Sequence, residues 1–144
     1  MGASRWIYFT DKNTDPQAAL DELREQVFEQ SWRHREPSLQ TLSDLMDSGI
    51  LEEEGGTHSI IDVDRMIVTA DIDAEEDGTV RLVTPQEIIE YFGAAKPTRD
   101  DIERAYKTSA SDIPPTFRGS GCCAPVYDEN GNAAGLVFWG MTGD

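Results

Sequence analysis

At 144 residues, with 38% apolar residues and twelve aromatics spread from Trp6 to Trp139, the chain is of single-domain size and has enough apolar side chains for one core, which argues against global disorder. A formal charge of −16 opposes general binding to phosphate backbones and anionic lipid headgroups. There is no run of 18 apolar residues and no charged-then-apolar leader pattern, so a cytoplasmic protein with no membrane partner is expected.

The first element is a strand over Arg5–Thr10, rich in aromatic and β-branched residues and broken by Asp11-Lys12-Asn13. Thr14-Asp15-Pro16-Gln17 then supplies a capping hydroxyl or carboxylate and a first-turn proline. Ala19, Leu20, Leu23, Val27 and Phe28 recur at helical spacing after it, which predicts an amphipathic helix to about Ser31. Arg33, His34 and Arg35 suit the C-terminal end of that helix, with Trp32 as a stacking face. A second helix is expected from Ser38 to Asp47, stopping at Gly49, and Glu52-Glu53-Glu54-Gly55-Gly56 reads as an exposed loop.

From His58 to Val83 the period changes to two. His58–Val63 reads as one strand. Met66, Val68, Ala70 and Ile72, with Val80 and Leu82 after a loop, read as the apolar face of an antiparallel hairpin. That hairpin sets Ile72 near Val80 and Ala70 near Leu82, and it brings Asp71 opposite Arg81 on the solvent side. Thr84-Pro85-Gln86-Glu87 is a capping box opening a helix that closes at Gly93, and Thr98-Arg99-Asp100-Asp101 opens another with Ile102, Ala105 and Tyr106 inside. A surface linker from Thr108 to Gly121 leads to Cys122–Trp139, a hairpin turning at Asn130-Gly131. Its register should set Tyr127 against Ala134, Pro125 against Leu136 and Cys123 against Phe138. Both faces of this ribbon are apolar, which places it in the middle of a sheet covered on two sides. The expected fold is a single α+β domain over residues 1–144, with a largely antiparallel sheet of about six strands and about four helices.

The acidity is concentrated. Asp44 to Asp77 holds twelve carboxylates against one base, Arg65, a net of −11 that leaves only −5 for the rest of the chain. This local excess points to a cationic partner. The candidate partner-binding residues are Asp44, Asp47, Glu52, Glu53, Glu54, Asp73, Glu75, Glu76 and Asp77. A competing explanation is a salt-loving or GC-rich host, since nine Arg accompany three Lys.

Three constellations invite chemistry. Asp73, Glu75, Asp77, Gly78 and Val80 match part of an EF-hand loop, but Arg81 stands ninth and Thr84 twelfth, where a bidentate glutamate belongs. His58, Asp62 and Asp64 share a face of the expected strand and, with Asp71 and Asp73, offer an oxygen-rich set to a divalent ion. Cys122 or Cys123, with His34 or His58 as base, offers a thiol nucleophile. Adjacent cysteines are poorly placed for a structural cross-link, an acidic setting suppresses thiolate, and thiols in an apolar hairpin are usually packing residues.

The leading expectation is therefore a small acidic protein-binding module: an inhibitor, immunity factor or assembly subunit covering a basic surface of a partner, or a nucleic-acid mimic. It requires no cofactor. The alternative is a small metal-dependent or cysteine-dependent enzyme. Short, acidic and without a catalytic motif, the chain is similar in composition to many bacterial toxin-neutralising proteins, a likeness that carries over no residues.

Overall fold

The fold was described from a computed structural model covering residues 5–11, 15–54, 57, 59–69, 71–109, 113–115 and 118–142, with the side chains of Glu52, Glu54, Ile72 and Ser109 left aside. One mixed sheet of five strands forms its centre. In chain order these are β1 (Arg5–Thr10), β2 (Arg65–Val68), β3 (Thr79–Leu82), β4 (Gly121–Tyr127) and β5 (Ala133–Met141), arranged β1-β5-β4-β3-β2. The pairs β1/β5 and β5/β4 are antiparallel, and β4/β3 and β3/β2 are parallel.

The helical segments are α1 (Pro16–Val27), a π turn over Phe28–Trp32, α2 (Arg33–Arg35), α3 (Leu42–Asp47), α4 (Ile50–Glu54), α5 (Pro85–Phe92) and α6 (Arg99–Ser109). They form four helical stretches in two layers. On one face of the sheet Leu20, Leu23, Phe28, Leu42 and Leu45 pack with Ile60 and Ile61 against Val80, Cys123 and Phe138. On the other, Ile88, Phe92 and Ile102 pack against Cys122, Ala124, Val137 and Trp139. The Cys122–Trp139 ribbon is thus buried from both sides, as its two apolar faces require.

Local chemistry sets the helix starts. Asp15 caps α1 by accepting from Ala18 N at 3.2 Å, with Pro16 in the first turn. Thr84 and Glu87 form the expected capping box of α5, and Gly93, at φ 76°, ends it in the left-handed region. Thr98 and Asp101 exchange the same pair of bonds at the head of α6, at 3.0 and 3.2 Å.

Several expectations are corrected. The sheet has five strands, not about six, and is mixed rather than largely antiparallel. The expected Met66–Leu82 hairpin is a parallel pair, with Met66 beside Val80 and Val68 beside Leu82. Residues 69–78 carry the chain back between them. A four-residue strand is only about 13 Å long, so ten residues suffice for the return. The proposed facing of Ile72 with Val80 and of Asp71 with Arg81 therefore fails; Ala70 lies outside the described residues.

The expected strand at 58–63 is instead a 3₁₀ turn at Ile60–Asp62, capped by Ser59, whose hydroxyl accepts from Ile61 N at 3.3 Å. His58 lies outside the described residues. Glu52–Glu54 belong to α4 rather than to a loop, because Ile50 and Leu51 on its first turn pack against the core. The second helix begins at Leu42 behind a Thr41–Asp44 capping box, not at Ser38. The first continues through the π turn to Arg35. In the last hairpin, Pro125 faces Leu136 and Cys123 faces Phe138, but a bulge after Val126 shifts Tyr127 onto Ala133.

Candidate functional site

The acidic surface is built mainly on the layer formed by α1 to α4. From Pro16 to Glu54 ten carboxylates stand against three bases, Arg24, Arg33 and Arg35. From Pro85 to Ser109, the opposite layer, five stand against four. The charge is one-sided. On α1 the amphipathic pattern that buries Leu20, Leu23 and Val27 necessarily turns Asp21, Glu22 and Glu25 outward, and Asp21 and Glu25 share a cleft with Asp47 of the Asp44–Asp77 stretch. Sequence reasoning passed over them because they precede that stretch, although their helical spacing was visible.

Of the candidate partner-binding residues, Asp44, Asp47, Glu53, Asp73, Glu76 and Asp77 are exposed. Some have internal work as well. Asp44 Oδ2 accepts from Gln40 N at 3.0 Å and Thr41 N at 3.1 Å, and Glu76 pairs with Arg65 at 2.9 Å. Asp77 packs on the turn at Gly119, where a Cβ would lie 2.2 Å from its Oδ1 and where φ is +85°. The side chains of Glu52 and Glu54 lie outside the described set.

Glu75 is a correction. Its side chain is only 1% exposed and points into the protein, where Oε2 accepts from Arg81 Nε at 3.2 Å. It therefore leaves the partner-binding set. Arg81, expected on the solvent side, is fully buried. Its guanidinium also grips Glu87 with two bonds of 2.7 Å, Nη1 to Oε1 and Nη2 to Oε2, the bidentate geometry that favours Arg over Lys. Glu87 Oε1 accepts in addition from Thr84 N at 3.0 Å, and Oε2 from the Tyr91 hydroxyl at 2.8 Å.

One glutamate thus caps α5 and anchors it to β3. Burial opposes ionisation of Glu87, but the bonds from Arg81, Thr84 and Tyr91 outweigh it and hold the carboxyl down at about 2. Bonding to Glu87 holds the Arg81 guanidinium more firmly protonated than usual, while burial and the Glu87 carboxylate push the Tyr91 hydroxyl up. Glu75 Oε1 has no hydrogen-bond partner among the described residues.

The cysteines lie in the core. Cys122 Sγ is 3.7 Å from Glu75 Oε2 and Cys123 lies on the other face of the sheet; both are free and fully buried. Burial, then the Glu75 carboxylate, pushes the Cys122 thiol up, and burial alone does so for Cys123, the reverse of what a nucleophile needs. His34 is exposed on α2, where Arg33 pairs with Glu29 and Arg35 lies over the Trp32 ring at 4.7 Å.

His58 of the proposed metal set lies outside the described residues, and its described members, Asp62, Asp64, Asp71 and Asp73, form no metal-binding group. Asp62 Oδ1 accepts from Thr57 N and Oγ1 at 2.7 and 2.8 Å, and Asp71 Oδ1 accepts from Asp73 N at 3.0 Å. Among the described residues no group of three or more His, Cys, Asp or Glu is placed to hold a metal ion. The Asp73–Thr84 segment is a 3₁₀ turn followed by a central strand, with Glu75 turned inward, rather than an EF-hand loop. Among the described residues no helix is long and apolar enough to cross a membrane.

Among the described residues, clefts open at two places on the surface. One, of about 420 Å³, lies between α1 and α3; the other, of about 210 Å³, lies between Phe9, Tyr127 and Arg99, whose guanidinium sits 4.4 Å from the Phe9 ring centre. Compared with known proteins, the chain matches no family model, no curated protein and no solved structure.

Proposed function

We propose that this chain is a small acidic protein-binding module whose α1–α4 side and neighbouring 73–77 loop cover a basic surface of a partner protein, in the manner of an inhibitor, immunity factor or assembly subunit. The observation that carries the reading is the one-sidedness of the charge, ten carboxylates against three bases over Pro16–Glu54 and near balance over Pro85–Ser109. A coat serving solubility alone has no reason to favour one layer. Such a field steers an oppositely charged partner toward one face and makes association fast and salt-sensitive. Where that partner binds nucleic acid, Asp44, Asp47, Glu53, Asp73 and Asp77 stand in for phosphates.

The test is capture from the native cell's lysate on wild-type bait and on Asp47→Lys/Glu53→Lys/Asp73→Lys bait, each shown to be folded, with stepwise salt elution and mass spectrometry. The expected result is one basic protein held in stoichiometric amount by the wild type, released at moderate salt and lost from the variant. Equal recovery on both baits, or retention indifferent to salt, overturns the proposal.

A further inference from the structure

We propose that the outer edge of β1 pairs antiparallel with β1 of a second copy of this chain, joining two sheets into one across a two-fold axis normal to them. The sheet has two edge strands, β1 and β2, and the fold treats them differently. At β2 the Gln17 side-chain amide takes the place of a neighbouring strand: its Nε2 donates to the Asp64 carbonyl at 3.0 Å and its Oε1 accepts from Met66 N at 2.9 Å. An added strand would make those same two bonds, so a side chain of α1 closes that edge.

β1 has no such plug among the described residues. Val83 N donates to the Cys123 carbonyl at 3.0 Å, which turns Cys123 toward β3. Backbone groups of successive strand residues face opposite sides in turn. Cys122, Ala124 and Val126 therefore face β5, while Leu136, Phe138 and Gly140 face β1 and are met there by Thr10, Tyr8 and Trp6. The N–H and C=O groups of Ile7 and Phe9 are left pointing outward, with no hydrogen-bond partner among the described residues. The Tyr106 hydroxyl bonds to the Trp6 carbonyl, at 3.4 Å, and leaves both unpaired. Such an edge is a template for another strand.

Charge selects the occupant and the register. Arg5 opens β1 and the exposed Asp11 follows its last residue; Arg5 Nη1 makes only a long bond, 3.4 Å, to the Ile113 carbonyl. Read backwards, the strand is complementary to itself. Setting Arg5 opposite Asp11 of the second copy places Ile7 opposite Phe9 and Tyr8 opposite its own counterpart, and the outward groups of Ile7 and Phe9 then pair with one another. A shift of two residues either way sets Arg5 against Phe9 or Asp11 against Ile7, and a parallel pair sets like charges together. This edge is separate from the acidic surface, so the failure of one proposal leaves the other standing.

The test is sedimentation equilibrium of the intact chain from about 1 μM to about 1 mM. It is run in about 0.15 M salt, where a Debye length of about 8 Å screens the general repulsion between two acidic chains. Reversible dimerisation is expected, with slowed hydrogen exchange at Ile7 and Phe9. Arg5→Asp and Asp11→Arg, each shown to be folded by circular dichroism, should each weaken it at least about tenfold. The double swap should restore it, and an equimolar mixture of the two single variants should associate, since each facing pair is then opposite in sign. A chain that stays monomeric throughout, a dimer indifferent to both single variants, or single variants that fail to associate on mixing overturns the proposal. Protection centred on residues 65–68 assigns the contact to β2 and overturns it as well.

Discussion

Arg81 ties the buried Glu75 and the half-buried Glu87 to the middle of the fold, and its removal is a damaging change. Arg81→Met should leave the buried Glu75 and the half-buried Glu87 without their cation, at a cost of about 3–5 kcal/mol by denaturant unfolding. Adding Glu75→Gln and Glu87→Gln should recover part of that loss, because the uncompensated charges are then gone. A loss below about 1 kcal/mol contradicts the buried ion pair. Glu87 also sets a pH dependence. Its folded carboxyl titrates at about 2 against an ordinary 4.5, so the unfolded chain binds more protons between those values. The stabilisation is complete above pH 4.5 and is lost as pH falls through about 2. Unfolding midpoints from pH 6 down to pH 2, in the wild type and Glu87→Gln, should converge at the acid end. The Thr84–Glu87 box was legible in the sequence, but the Arg81 pairing was not, because Arg81 alternates with Val80 and Leu82 as a solvent-facing residue would, and only its position on an inner strand of the sheet buries it. The thiols follow the same logic. Cys122 and Cys123 should resist iodoacetamide at pH 8 in the folded protein and react in denaturant; rapid native labelling contradicts their burial.

At the scale of elements, signals carried by neighbouring residues were readable and those carried by distant pairing were not. The boxes at Thr84–Glu87 and Thr98–Asp101 and the proline at the head of α1 are short-range chemistry, and each stands where the residues put it, whereas the last hairpin turns one residue earlier than Asn130-Gly131 predicts, with Gly131 N bonded to the Asp128 carbonyl at 3.0 Å. The parallel pairing of β2 with β3, and of β3 with β4 across the α5–α6 connection, joins residues distant in sequence, and no local pattern encodes that. Thr84→Ala should therefore cost about 1 kcal/mol by losing its bond to Glu87 N. The 73–77 loop depends on Gly119, which accepts from Gly78 N at 2.9 Å and donates to the Met141 carbonyl at 2.8 Å. Gly119→Ala meets both the positive φ and the Asp77 carboxylate, so it should destabilise by more than about 1 kcal/mol and shift the amide signals of Asp77 and Gly78. Unchanged stability and spectra contradict that packing.

For the molecule as a whole, the acidic excess was visible in the sequence, but its distribution over two helical layers was not. Asp21 and Glu25 join Asp47 only because α1 and α3 pack side by side, and Glu75 leaves the surface only because the 69–78 return folds it onto Arg81. Like charges crowded on one layer repel, so Asp47→Asn/Glu53→Gln/Asp73→Asn should hold or raise the melting temperature; a marked fall means these acids are structural. The measurement that bears most directly on the acidic-module reading is the Kd of the captured partner against salt concentration. It is to be compared among the wild type, that triple variant, and Glu90→Gln/Glu103→Gln on the opposite layer. The expected result is affinity that falls steeply with salt in the wild type and in the opposite-layer variant, and a weaker, flatter dependence in the triple variant. Salt-independent affinity, or equal losses from both layers, contradicts the account.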